Sequence, residues 1–258
     1  MTYDLSGKTA IVTGATSGMG TAAALALHRA GANVIAGGRN PDALSALPTA
    51  DGFTAMRVDV TRRDDVAAFV ERAVVEYGGL DIVFNVAGMA TEGSFDDEDV
   101  WDRTLDINFN GVVNVCRAAL PALQRRGGGS IVNWASTNSF ETAPQFSAYS
   151  VSKAAVLALS QALAIDYAGD GIRVHALCPG YVDTPLLDRH AQHYPSRDAW
   201  LASVAAAQPL GMASPESIAD VAVFLASDAS RIMTGSAVLA DGGWLARAAS
   251  VAPPSRQD

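Results

Sequence analysis

Short β-branched runs alternate with longer alanine- and leucine-rich segments along this chain from its first ten residues to about residue 240, and that alternation admits few folds. Each strand–helix–strand passage is a βαβ unit, which makes neighbouring strands run parallel. A parallel sheet needs cover on both faces. Strands are expected at about 8–13, 33–37, 53–58, 81–84, 130–135, 172–177 and 236–240. Helices are expected at about 18–30, 41–47, 62–76, 97–125, 147–168 and 215–226, with Gly31, Gly78, Gly127 and Gly169 as their stops. The expected fold class is α/β: a single doubly wound, Rossmann-like domain over residues 1–246, with a seven-stranded parallel sheet and helices on both faces. The stretch 186–211 fits no strand and is expected to form one or two short helices of a substrate lid. The polar, proline-containing residues 247–258 read as a flexible tail.

With 258 residues, 49% of them hydrophobic, the chain can bury one sizeable core. A net charge of -9 argues against nucleic acid or an anionic membrane as partner, because both demand a basic face. Any phosphate must therefore be held locally. Cys116 and Cys178 lie in apolar surroundings and read as reduced core residues. The start, MTYDLSGKTAIVTG, lacks a basic region followed by a long apolar one, so a soluble cytoplasmic protein is expected.

Two motifs carry chemistry. The first strand ends in TGATSGMG, Thr13 to Gly20, and a helix pattern begins at once. Glycines at 14, 18 and 20 let the backbone turn tightly and approach a diphosphate, while the helix offers free N–H groups and a positive dipole end. The second motif starts at Ser136, after an apolar strand, with Tyr149 thirteen residues on and Lys153 four beyond that. Positions four apart share a helix face. A neighbouring ammonium can lower a tyrosine's pKa by roughly 1 to 3 units, toward what a base near neutrality needs. Alone, each motif has an ordinary reading, turn chemistry for the glycines and a solvated helix edge for the Tyr–Lys pair.

Together, TGATSGMG, NVAG, Ser136, YSVSK and PGYVDTP resemble the classical short-chain dehydrogenase/reductase family, in the family's order and over essentially the whole chain. The resemblance implies an NAD(P)-dependent enzyme that transfers hydride between nicotinamide and a secondary alcohol or ketone. Tyr149 would be the general acid/base, Ser136 would hold the substrate oxygen, Lys153 would bind the nicotinamide ribose, and Asn108 would complete a proton path. Cofactor contacts are implied for Gly14, Ser17, Gly18, Met19 and Gly20, for Arg39, and for Asp59 and Val60. They extend to Asn85, Ala87 and Gly88 (with Val86 replacing the family's second asparagine), and to Tyr149, Lys153, Pro179, Gly180, Val182 and Thr184. Gly38 stands at the family's usual acidic position, with Arg39 after it, so NADP(H) is favoured and NAD(H) remains admissible.

Ser136, Asn138, Gln145, Tyr149, Tyr181 and Leu187 would line the substrate pocket by resemblance, with Trp200 on the lid and Trp134, Phe140 and Phe146 adding apolar material. The family implies a homo-oligomer, tetramer or dimer, pairing the helices around 97–125 and 147–168. No metal is expected: His190 and His193 have no accompanying ligand cluster, and His28 and His175 read as structural. The rival from another class is a non-catalytic dinucleotide sensor or scaffold, which would need no acid/base tyrosine.

Overall fold

The computed structural model describes residues 3–191 and 195–247. His193 and all but the first residue of the expected tail lie outside the described residues. Seven strands form one sheet: β1 Thr9–Thr13, β2 Asn33–Gly38, β3 Phe53–Arg57, β4 Ile82–Asn85, β5 Gly129–Trp134, β6 Ile172–Pro179 and β7 Ala237–Ala240. Their order is β3-β2-β1-β4-β5-β6-β7, and every pairing is parallel. The chain winds one way from β1 to β3 and the other way from β4 to β7. The carboxyl ends of β1 and β4 consequently flank the switch point, where an open α/β sheet leaves its ligand crevice.

The helices are α1 Gly18–Arg29, α2 Pro41–Ser45, α3 Arg63–Tyr77, α4 Glu98–Leu105, α5 Gly111–Arg126, α6 Ser147–Asp166, α7 Pro185–Ala191, α8 Arg197–Ala207 and α9 Pro215–Ala226. Side chains alternate across each strand, so the sheet has two apolar faces and two cores. On one face Val12, Val34 and Phe84 meet Leu27 of α1 and Ile218 and Leu225 of α9. On the other, Ile11, Ile35, Val83 and Ile131 meet Phe69 of α3, Leu123 of α5 and Val156 of α6.

Two expectations are corrected. The single helix expected over 97–125 is interrupted by a π-helical turn, Asp106–Asn110, between α4 and α5. Gly169 is not the stop after α6. That helix ends at Asp166, a short 3-10 turn Ala168–Asp170 follows, and the left-handed residue is Gly171, at φ 73°. Gly78 and Gly127 do end α3 and α5 in the left-handed region, as their positions in the sequence suggest.

Candidate active site

The turn from β1 into α1 can be made only with glycine at two places. Gly14 has φ 69°, and a Cβ there would lie 2.8 Å from the backbone of Ala87; a Cβ on Gly20 would lie 2.0 Å from the carbonyl oxygen of Gly14. Drawn in this way, the loop exposes the start of α1, whose preceding Ser17 makes no side-chain cap and leaves N–H groups open. Beside it is a cavity of about 300 Å³. Gly14, Ser17, Gly18, Met19 and Gly20 line it, with Gly38 ending β2 and Arg39 following it, Asp59 and Val60 after β3, and Ala87 and Gly88 after β4. A glycine-lined wall beside an open helix start suits a phosphate-bearing, elongated ligand.

Asn85, an expected cofactor contact, does not line this cavity. Its side chain donates to Asn133 Oδ1 at 2.8 Å beneath the cleft, and Val86, not Asn85, lines the cavity. The turn after β4 is held instead by Thr13, whose Oγ1 accepts from the N–H groups of Val86 and Ala87 at 3.1 and 3.2 Å. That hydroxyl was not singled out in the sequence, although its place at the end of β1 beside the switch point marks it.

A second cavity, of about 360 Å³, adjoins the first, since Met19, Thr184 and Leu186 line both. Ser136, Asn138, Tyr149, Tyr181 and Leu187 line it, as do Pro179, Gly180 and Val182 of the segment ending and following β6. Phe146, Trp200 and Trp244 complete an aromatic wall. Trp244 was not expected there. Gln145 is exposed at φ 65° and does not line the cavity; its carbonyl accepts from the N–H of Gly93. Nor do Trp134 and Phe140 line it. Trp134 is buried against Phe84, and Phe140 is half-exposed.

Ser136 follows β5 and caps the 3-10 turn Thr137–Ser139, its Oγ accepting from Asn138 N–H at 3.1 Å. Tyr149 lies in the first turn of α6 and Lys153 one turn later, so both point to one side. Lys153 is 5% exposed, and its Nζ donates to the carbonyl of Trp134 at 2.7 Å while lying 5.7 Å from the centre of the Tyr149 ring. Burial pushes the Tyr149 phenol above its ordinary value, opposed by its hydrogen bond with Ser136 and reinforced by Tyr181. Burial also pulls Lys153 down to about 8. The ammonium faces the ring and a carbonyl, and for the phenol desolvation is the largest influence.

Asn108 is fully buried in the π-helical turn and lines neither cavity. Its Oδ1 accepts from Met89 N–H at 2.8 Å, and its Nδ2 donates to Met89 O at 2.8 Å and to Ser152 Oγ at 3.1 Å. The amide therefore ties the segment after β4 to α6. A Cβ built on Gly88 would lie 3.3 Å from Asn108 Oδ1 and 3.5 Å from Lys153 Nζ, so both polar groups converge on the gap that this glycine leaves.

A glycine-lined cradle at the switch point, opening into a cavity that holds a serine and a tyrosine, defines a dinucleotide-binding α/β protein of the Rossmann type. Comparison with known proteins narrows the class. Residues 14–245 match the family model described as enoyl-(acyl carrier protein) reductase. The 2-keto-3-deoxy-L-fuconate dehydrogenase of Xanthomonas campestris is 40% identical over 246 residues, 93% of this chain and 81% of that protein. Oxidoreductase UcpA of Escherichia coli K12 is 39% identical over 249 residues, 93% of this chain and 95% of that protein. Among solved structures, ligand-free aldohexose dehydrogenase of Thermoplasma acidophilum superposes with TM-score 0.89 at 31% identity, covering 98% of this chain and all of that one. A variant of actinorhodin polyketide ketoreductase with NADPH superposes with TM-score 0.87 at 30% identity, covering 92% and 97%. The chain belongs to the short-chain dehydrogenase/reductase family of oxidoreductases, whose fold implies NAD(P) binding.

Proposed function

We propose that this oxidoreductase transfers hydride between a nicotinamide cofactor, NADP in preference to NAD, and a secondary alcohol or ketone, with Tyr149 as general acid/base. The observation that carries the reading is the junction of the two cavities. Ser136 and Tyr149 face one of them, the glycine turn and Arg39 line the other, and the two meet at Met19, Thr184 and Leu186.

When bound, the nicotinamide supplies or accepts the hydride. Tyr149 holds the proton that the substrate oxygen gains or loses, and the Ser136 hydroxyl gives that oxygen a second hydrogen bond as charge develops on it. Lys153 would hold the ribose, and with Asn108 converging on the same gap it would pass protons outward through water. Residues 186–211 would act as the lid, since Leu186, Leu187 and Trp200 form part of the cavity wall.

The cofactor preference rests on Arg39 and on Gly38. A Cβ on Gly38 would lie 2.4 Å from Thr16 Cγ2, so the acidic side chain that would receive the ribose hydroxyls of NAD has no room while Thr16 keeps its place. Arg39 offers a charge-assisted contact to a 2'-phosphate, worth about 1.5 to 3 kcal/mol. The test is kcat/KM for both cofactors on a panel of ketones and alcohols. Arg39→Ala should raise KM for NADP roughly 10- to 100-fold at low salt and leave NAD nearly unaffected. Wild-type preference for NAD, or equal weakening of both cofactors, would mean that the guanidinium only stacks on the adenine.

A further inference from the structure

The walls of the substrate cavity carry a charge pattern that hydride transfer alone does not require. Among the described residues lining it, Glu141 is a carboxylate, and none is a lysine, arginine or histidine. Lys153 is buried beside Tyr149 and donates to a backbone carbonyl, and Arg39 lines the other cavity. Glu141 is held in place: the indole Nε1–H of Trp244 donates to its Oε1, joining the loop after β5 to the segment after β7. An indole N–H can only donate, so the carboxylate is the partner that orients this ring. Trp244 in turn stands edge-to-face on Tyr181, centroids 5.3 Å apart at 76°, and Tyr181 stands on Trp200 at 6.2 Å and 87°. The rest of the polar lining is neutral, chiefly Ser136, Asn138 and Thr142.

We infer that this cavity selects an uncharged, ring-bearing alcohol or ketone and rejects carboxylates, with Glu141 as the specificity-determining residue. The inference rests on the hydride-transfer reading of the same site. Three linked aromatic rings give a cyclic substrate a flat apolar contact, and neutral hydroxyl and amide groups satisfy its polar substituents. A carboxylate entering here would shed water, find no cation among the described lining residues, and meet a fixed negative charge. At the screened mouth of a cavity this repulsion should amount to roughly 10-fold in affinity.

The probes are 4-oxocyclohexanecarboxamide and 4-oxocyclohexanecarboxylate, one ketone in two nearly isosteric forms that differ by a charge. Each is titrated calorimetrically into the enzyme with its oxidised cofactor, where no reduction can occur, and each is then assayed for reduction with NADPH or NADH. The carboxamide should bind about 10-fold tighter at 50 mM salt, with the gap narrowing at 0.5 M as screening lengths fall. Glu141→Gln keeps an oxygen for Trp244 and removes the charge, so it should shrink the gap at least about 3-fold. Trp244→Phe keeps the charge and removes the N–H, so most of the gap should persist. Equal affinities in the wild type, no binding of the carboxamide, no change in the gap with Glu141→Gln, or a gap lost equally with Trp244→Phe would each overturn the inference. Selective binding with no turnover of either probe would instead overturn the hydride-transfer reading and leave the selectivity standing.

Discussion

Tyr149 and Lys153 stand one helical turn apart, yet burial moves their protons in opposite senses, holding one on the phenol and loosening the other from the amine. Tyr149→Phe removes the proton donor and keeps the ring that packs on Phe146. The variant should keep cofactor affinity and lose roughly 10²- to 10⁴-fold in kcat, and retention of more than about a tenth of wild-type kcat would exclude the role. A different buried group sets acid stability. His175 is fully buried in β6, and burial, followed by the adjacent Arg173 guanidinium, lowers its pKa to about 4. Its folded value lies below its unfolded value of 6.5, so below pH 6.5 the unfolded chain takes up the proton first. Stability from this group is complete above pH 6.5 and drains away toward pH 4, by about 3 kcal/mol in all. His175→Gln should flatten the dependence of the urea midpoint on pH across that window. An unchanged slope would show that other groups carry the acid transition.

The turn between β1 and α1 shows how an element can depend on single atoms. Gly20→Ala would place a methyl 2.0 Å from the Gly14 carbonyl, a backbone atom that cannot swing aside. It should cost roughly 3 kcal/mol or more and abolish cofactor binding. Gly78→Ala is the control: Gly78 is also left-handed, at φ 78°, but its Cβ would meet nothing within 4 Å. That variant should cost about 1 kcal/mol and bind cofactor normally, so equal thermal-melt losses for the two would refute the steric account. This turn, the seven parallel strands and the Ser136–Tyr149–Lys153 spacing were all legible in the sequence, because glycine placement and side-chain periodicity are local signals. The π-helical turn was not. Its extra residue is held by Asn108 gripping Met89 and Ser152, 19 and 44 residues away, and no local pattern records such partners. For the same reason the sequence placed Gln145 and Phe140 in the cavity and missed Trp244. Side-chain direction in an irregular loop follows from tertiary contacts, and Trp244 reaches the cavity through a partner 103 residues distant.

On the whole molecule, α6 raises a question that one copy of the chain does not answer. It is long and apolar enough that length and composition alone would pass it as a membrane span, yet less than half of it is buried. Its inner face carries Lys153 and packs on β6. Its outer face shows Val151, Ala154, Ala158, Gln161 and Ile165, all exposed, at alternating spacings of three and four. That is the seam pattern of paired helices, and the small residues at its middle permit close approach. Val151 and Ile165 are 46% and 78% exposed and mark the ends of a stripe about 21 Å long. A helix of the same chain is the proposed cover, giving a homodimer or a tetramer built from it. A stable pair should bury about 1,600 Å² in all, more than this stripe supplies, so α4, which packs beside α6, would have to join. Light scattering with size exclusion at micromolar concentration should give a dimer or larger. Val151→Glu with Ile165→Glu puts like charges into both ends of the seam and should shift the chain toward monomer. Because α6 also carries Tyr149 and Lys153, activity should fall with dissociation and recover as protein concentration rises. A wild-type monomer would leave the exposed stripe without this role, and a charged variant that stays assembled would place the contact elsewhere.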